Sequence, residues 1–400
     1  MTGESETPPI PAPETAPASS PAARNRYAPF LTVWAILTVA LTLLLIVFGS
    51  LVTSHTRYQG DQIKAVGDSI STWPWGSTWN IEMIHRVTAM TVGTCALVLA
   101  ITLAATEPRR WVRWLGYAAL TCVCLEALLG GLRVVMYSPV HAAYNSLGRI
   151  GVGMIHATFA QLIFALTVIV ALVTTKGWLE APAPVVSADT ARTRRLAILT
   201  CAMVAIQILI GAWARHLRML VPGGTVNLVA TSTGTAAVVS NHLDWRNVAV
   251  WIHVAMAVSV AVHVVLLAVR TSSKHPAVFQ IRQTAGLVVF FVGLQIVLGL
   301  FAWVMTPTGL SATQPPAALA DIVRSGHVAN GAMILAMCVV VAARSFLLLQ
   351  TPAEAARRVA DPRAAPQAET AQNELHSQPG WDGANPSNVV PPNRQREAHT

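Results

Sequence analysis

Eight stretches of the 400-residue chain are long, apolar and almost free of charge: roughly 30–53, 79–104, 111–135, 149–174, 195–215, 247–270, 284–305 and 327–349. Each is about 20 residues or longer, enough to cross a hydrocarbon core of about 30 Å as a helix. No other spanning solution fits. Inside lipid every backbone polar group must be satisfied within the segment, and these runs lack the alternation of a barrel strand. Only 11% of residues are charged and 54% are hydrophobic, against about 25% charged in a soluble protein. The expected fold is an all-α integral membrane protein. Its formal charge of +9 sits between spans and not on a soluble basic face, so nucleic acid is not an expected partner.

The rest of the chain is arranged around these spans. Residues 1–29 and 351–400, rich in Pro and Ala, read as disordered tails. Glu4, Glu6 and Glu14 argue against a mitochondrial transit peptide, and the run from Phe30 to Val52 is too long for a signal-peptide core. Lysine and arginine concentrate in the connections after spans 2, 4 and 6 (Arg109, Arg110, Arg113; Lys176, Arg192, Arg194, Arg195; Arg270, Lys274, Arg282). By the positive-inside rule both tails and the 175–194 linker are cytoplasmic, in the plasma membrane of a bacterial cell. The five cysteines all fall within apolar runs and read as packing residues, without a disulfide or zinc framework.

The chain repeats itself. Residues 30–174 and 195–350 form two pseudo-symmetric four-helix bundles. "EALLGGLRVVM" (126–136) matches "QIVLGLFAWVM" (295–305), with Glu126…Gly130 on Gln295…Gly299. "EMIHR" answers "VWIHV", bringing His85 onto His253, and "GMIHATFAQ" answers "RSGHVANGA", bringing His156 onto His327. Span 1 ends in Gly49…His55 and span 5 in Gly211…His216.

Polar residues are costly in the bilayer, so four histidines recurring near the outer ends of the even spans point to a shared ligand role. Two imidazoles per half, without a cysteine or carboxylate cluster, suit a haem held by two axial histidines. The pairs are His85 with His156 and His253 with His327. Arg86, Arg133, Arg149, Arg215 and Arg324 lie at the same level, as propionate contacts or as interfacial anchors. A di-iron site fails on ligand count, because Glu82-x-x-His85 has no matching partners. His263 lies about 15 Å deeper than His253 and reads as buried polar packing. His55, His141, His216 and His242 read as solvated outer-loop residues, with His55 and His216 suited to proton transfer.

The halves differ beside their histidines. Glu82 and Arg86 correspond to Val250 and Val254. Glu82 lies one turn before His85 and four residues before Arg86. It reads either as a carboxylate acting on a bound haem or as a plain partner of Arg86. The first half is expected to transform its haem, and the second to pass electrons.

These features together resemble the haem A synthase family over residues 30 to 350, on the eight spans in two repeats, "EMIHR", and the histidines of spans 4, 6 and 8. The resemblance implies oxidation of the C8 methyl group of haem O to a formyl group, giving haem A for terminal oxidases. It also implies haem O between His85 and His156 with Glu82 as the catalytic carboxylate, and a haem B cofactor between His253 and His327. Many members of that family carry a cysteine pair in the first outer loop. Here "STWPWGSTW" stands in its place, between residues 54 and 78 that contain no cysteine. The expected partners are haem O, a quinol or other electron partner, the lipid bilayer, and, as candidates, haem O synthase and further copies of the chain. The rival reading is a membrane cytochrome b with two bis-histidine haems passing electrons from quinol. A third is a transporter using His and Glu as a proton relay.

Overall fold

The computed structural model describes residues 27–58, 81–136, 146–217, 226–231, 234–239, 245–305 and 317–360. Eight long helices carry the apolar runs: α1 Pro29–Tyr58, α2 Ile81–Thr106, α3 Arg110–Met136, α4 Ser146–Thr174, α5 Thr190–Leu217, α6 Trp245–Lys274, α7 Phe279–Val304 and α8 Ala317–Leu348. All eight are long and apolar enough to cross a membrane, and the chain is a multi-pass, all-α membrane protein. Several hydroxyls inside the spans are satisfied locally. Thr38, Thr42, Thr53 and Thr88 each donate to the carbonyl four residues back, which removes an unpaired polar group from lipid.

Each half closes into a ring. In the first, α1 packs on α2, α2 on α3, α3 on α4, and α4 back on α1; the second repeats this with α5 to α8. The two rings meet through α1 on α8, α4 on α5, and α4 on α8, an arrangement with the symmetry of a two-fold axis passing between α4 and α8. Burial follows from this placement. Half or more of the apolar window is buried in α4 (50%) and α8 (56%), against 6% in α3 and 11% in α7. The central seam is apolar, with Ile46, Phe164, Ala332 and Ala336 buried together. Small residues there let the backbones approach, as helix association in lipid requires.

The end carrying the 107–109 turn is sealed by polar contacts. Glu107 is bound through both oxygens by Arg109, which also donates to the Val173 carbonyl of α4. A parallel pair of short strands, β1 Val185–Val186 and β4 Leu349–Gln350, joins the connection between halves to the end of α8. The linker and residues 351–360 at the start of the last tail are therefore more ordered than their composition suggests. Residues 176–179 form one helical turn, and α5 starts at Thr190 rather than 195. Pro352–Ala360 is a helix, where the composition from 351 onward predicts a loose tail. The local cause is a capping box. Thr351 N donates to Glu354 Oε2 and Glu354 N donates to Thr351 Oγ1, with Pro352 in the first helical position. Arg194 of α5 then ties this helix down through Glu354, at 2.6 Å, and the Leu349 carbonyl. Between α5 and α6 the chain forms an antiparallel hairpin, β2 Val226–Thr231 and β3 Gly234–Val239.

Candidate functional site

All four repeated histidines lie toward the end opposite the 107–109 turn, and each is seated the same way. A Cβ built on Gly49 of α1 would come within 2.9 Å of the His85 ring. Gly211 of α5 stands in the same relation to His253 at 2.8 Å, Gly299 of α7 to His327 at 3.0 Å, and Gly130 of α3 to His156 at 3.4 Å. Every odd helix thus offers a glycine as the floor on which the next even helix lays an imidazole. A Cβ at Gly49 or Gly211 would displace the ring, at Gly299 it would crowd it, and at Gly130 it would only touch it. The two histidines of each half come from α2 and α4, or from α6 and α8. These are diagonal members of a four-helix ring, so the paired rings converge on the bundle interior.

In the second half the convergence is explicit: the His253 and His327 ring centroids are 6.3 Å apart, inclined at 69°. In the first half His85 is close enough to His156, Arg133 and Arg86 to interact with them electrostatically. The four rings are half-buried, and Nδ1 of His85 and of His327 are shielded without a hydrogen-bond partner.

One turn before each seating glycine stands a residue that addresses the histidine: Leu45, Glu126, Gln207 and Gln295. Gln207 Nε2 lies 3.1 Å from His253 Nδ1 and donates to the His253 carbonyl. Gln295 Nε2 lies 3.2 Å from His327 Nε2. Glu126 Oε1 lies 2.9 Å from His156 Nδ1, at hydrogen-bond distance although without the alignment of a formed bond. Leu45 supplies its backbone to His85. The repeat aligns Glu126 with Gln295, but alignment alone assigns neither a task. The signal was there, as a polar residue four before a repeated glycine on three of the four odd spans.

Glu82 and Arg86 form an ion pair at 2.5 Å, both partly exposed. Arg133 donates to Thr53 Oγ1 of α1. Arg215 of α5 reaches across the seam to Ser50 Oγ, the Ser50 carbonyl and Ser54 Oγ of α1, and also lies within electrostatic reach of His327. Arg324 donates to the Met305 carbonyl, with Asp321 at 3.5 Å. The side chains of Arg149 and His55, and residues His141, His242 and 59–80 with the "STWPWGSTW" loop, lie outside the described residues.

His216 departs from expectation. It is 1% exposed, its Nδ1 bonds to the Ala212 carbonyl at 2.8 Å, and its ring packs on Gly153 of α4. The reason is that α5 continues past the apolar run to Leu217 and so carries His216 into the seam, not into an outer loop. His263 is half-buried and bonded to the Ser259 carbonyl one turn back.

A family model described as cytochrome oxidase assembly protein, COX15-CtaA, matches residues 75–313. No curated protein matches the chain.

Proposed function

The chain belongs to the COX15-CtaA family of cytochrome oxidase assembly proteins, whose role at family level is haem A synthesis, and from that premise we propose that it oxidises the C8 methyl group of haem O to a formyl group. The observation that carries the proposal is the repeated seat: four imidazoles on four glycines, converging in pairs inside two closed helical rings. Two axial imidazoles on one iron hold their ring centres roughly 6 Å apart, given metal–nitrogen bonds of about 2 Å. The 6.3 Å between His253 and His327 fits that group. The donor set, two imidazoles and no thiolate, fits it as well.

In this reading His85 and His156 hold the substrate haem O, and His253 and His327 hold a resident haem B. Haem B would supply one-electron redox chemistry. The residues do the rest. Glu82, on the His85 face of α2, is the catalytic carboxylate, and its pairing with Arg86 orients it and balances its charge near the bilayer. Arg133, Arg215 and Arg324, with Arg149, supply cations at the level where haem propionates would lie. Taking a methyl to a formyl group with water as the oxygen source releases four electrons and four protons, and the electrons would leave through the haems to an acceptor of the quinone class. Both tails lie in the cytoplasm of a bacterial cell, because the lysine- and arginine-rich connections are at the end away from the histidines.

The test is expression in a host that makes haem O but not haem A, followed by extraction and mass spectrometry of the bound haems. Haem A or its hydroxylated precursor is expected. Haem B alone, with haem O abundant in the membrane, would favour the bis-histidine cytochrome b, which uses the same four histidines and gives Glu82 no chemical task.

A further inference from the structure

The two halves support one histidine each with opposite chemistry. In the second half the geometry determines which end of Gln295 faces the ring. The Phe291 carbonyl can only accept, so Asn330, which contacts it at 2.9 Å, presents its NH2 group there. The same NH2 group reaches Gln295 Oε1 at 2.7 Å. The amide oxygen of Gln295 is thereby occupied, and its NH2 group is the end turned toward His327 at 3.2 Å. His327 therefore meets a donor at Nε2, whereas His156 is met at Nδ1. In the first half the equivalent position is Glu126, whose carboxylate has only acceptors to offer when ionised. It lies 2.9 Å from His156 Nδ1, with a side chain only 13% exposed. The residue equivalent to Asn330 is Phe159, so no amide clamp is repeated there.

We propose that Glu126 is a positioning residue for the first-half site. Its carboxylate takes the Nδ1 proton of His156 as a hydrogen bond, fixes the ring's tautomer and orientation, and makes the imidazole a stronger electron donor to iron. A carboxylate behind a metal-bound histidine raises ligand basicity in this way. A negative group beside the ligand favours the oxidised metal. The first-half haem is consequently held at a lower reduction potential than the second, where no carboxylate stands behind His327 Nδ1, and electrons leave the half whose haem is being oxidised. This rests on the haem reading above and goes beyond it in assigning the asymmetry to one residue pair.

The experiment is anaerobic redox titration, followed at the α-band, of the purified wild type, Glu126→Gln and Gln295→Glu proteins from a haem O-producing host. E126Q is expected to raise the midpoint of one haem and leave the other in place. Q295E is expected to lower the midpoint of the other haem. A merely structural role would reduce haem occupancy without moving the two midpoints in opposite directions. E126Q retaining both haems at wild-type midpoints overturns the proposal. Where E126Q loses its haem, Q295E decides alone, and an unmoved midpoint there overturns it too. A wild-type protein with no Soret band would instead sink the haem reading itself, and this inference with it.

Discussion

The two halves are alike in shape and unlike in charge. Gly49 and Gly211, and Gly130 and Gly299, form the same floors for the same imidazoles. Around those rings the first half carries Glu82, Arg86, Glu126 and Arg133, where the second has Val250, Val254, Gln295 and Ala302. A charge at the centre of a helix in the bilayer costs about 2.5–3.5 kcal/mol on insertion scales. The first half offsets this cost with the Glu82–Arg86 pair, the Glu126–His156 contact and the Arg133–Thr53 bond. Steric complementarity is what a bis-imidazole site needs, and both halves keep it. Charge near the ring edge is what chemistry on a bound molecule needs, and it is concentrated in one half. The exceptions are Arg324 with Asp321 on α8 and Arg215, which joins the halves, since it belongs to α5 but is bonded to α1.

The comparison is most directly broken at the ligands. His253→Ala should leave one haem per chain and stop conversion; a variant that keeps both haems would remove His253 from the ligand set. Glu82→Gln comes next, with both haems retained and conversion down roughly a hundred-fold or more, as for loss of a general acid or base. Equal conversion by E82Q and wild type, in haem extracts from matched membranes, would reduce Glu82 to the partner of Arg86.

The glycine floors give a graded test. Gly211→Ala, with 2.8 Å to the ring, should lower haem occupancy more than Gly130→Ala, with 3.4 Å, since overpacking costs on the order of 1–3 kcal/mol. Occupancy is read from the Soret absorbance per polypeptide, and the reverse order would show that the glycines do not set the ring position. Asn330→Leu should cost the second half about 1 kcal/mol through the lost hydrogen bonds and leave the first-half haem spectrum as it was.

The smallest expected effect is far from the four repeated histidines. At the end carrying the 107–109 turn, His275 is buried against Thr193, with Nε2 2.8 Å from its hydroxyl. Burial, and then the Arg270 charge, lower its pKa from the ordinary 6.5. The unfolded chain therefore takes up the proton first. This contribution to stability is present above pH 6.5 and is lost as pH falls below it toward the folded value. Thermal melts in detergent should show a pH slope in the wild type that is shallower in His275→Gln; identical slopes would exclude His275 as its source.

Much of this molecule was readable before any coordinates. Span number came from length and hydropathy, because the backbone's need for internal hydrogen bonds in lipid leaves one solution. The four histidines stood out because polar side chains at matched depth are costly. Other features were visible as letters without a meaning. The glycines at 49, 130, 211 and 299 read as generic helix ends until each was found beneath an imidazole of the next helix. Glu126 was aligned with Gln295 without being seen to touch His156. His216 was misplaced by two residues of helix, enough to exchange an outer loop for a buried seam. The helix at Pro352–Ala360 carried its T-x-x-E signal, but the Pro- and Ala-rich composition around it masked that.

By itself the sequence determined the class of the protein, its eight spans, its internal repeat and its four recurring histidines, since these depend on local hydropathy and on chemistry that each residue carries with it. Tertiary structure alone decided which faces meet: α4 and α8 at the centre, each imidazole on a glycine of the preceding helix, a donor behind His327 and a carboxylate behind His156. Those are contacts between helices, set by how side chains of two distant segments share one space, and no periodicity within either segment encodes them.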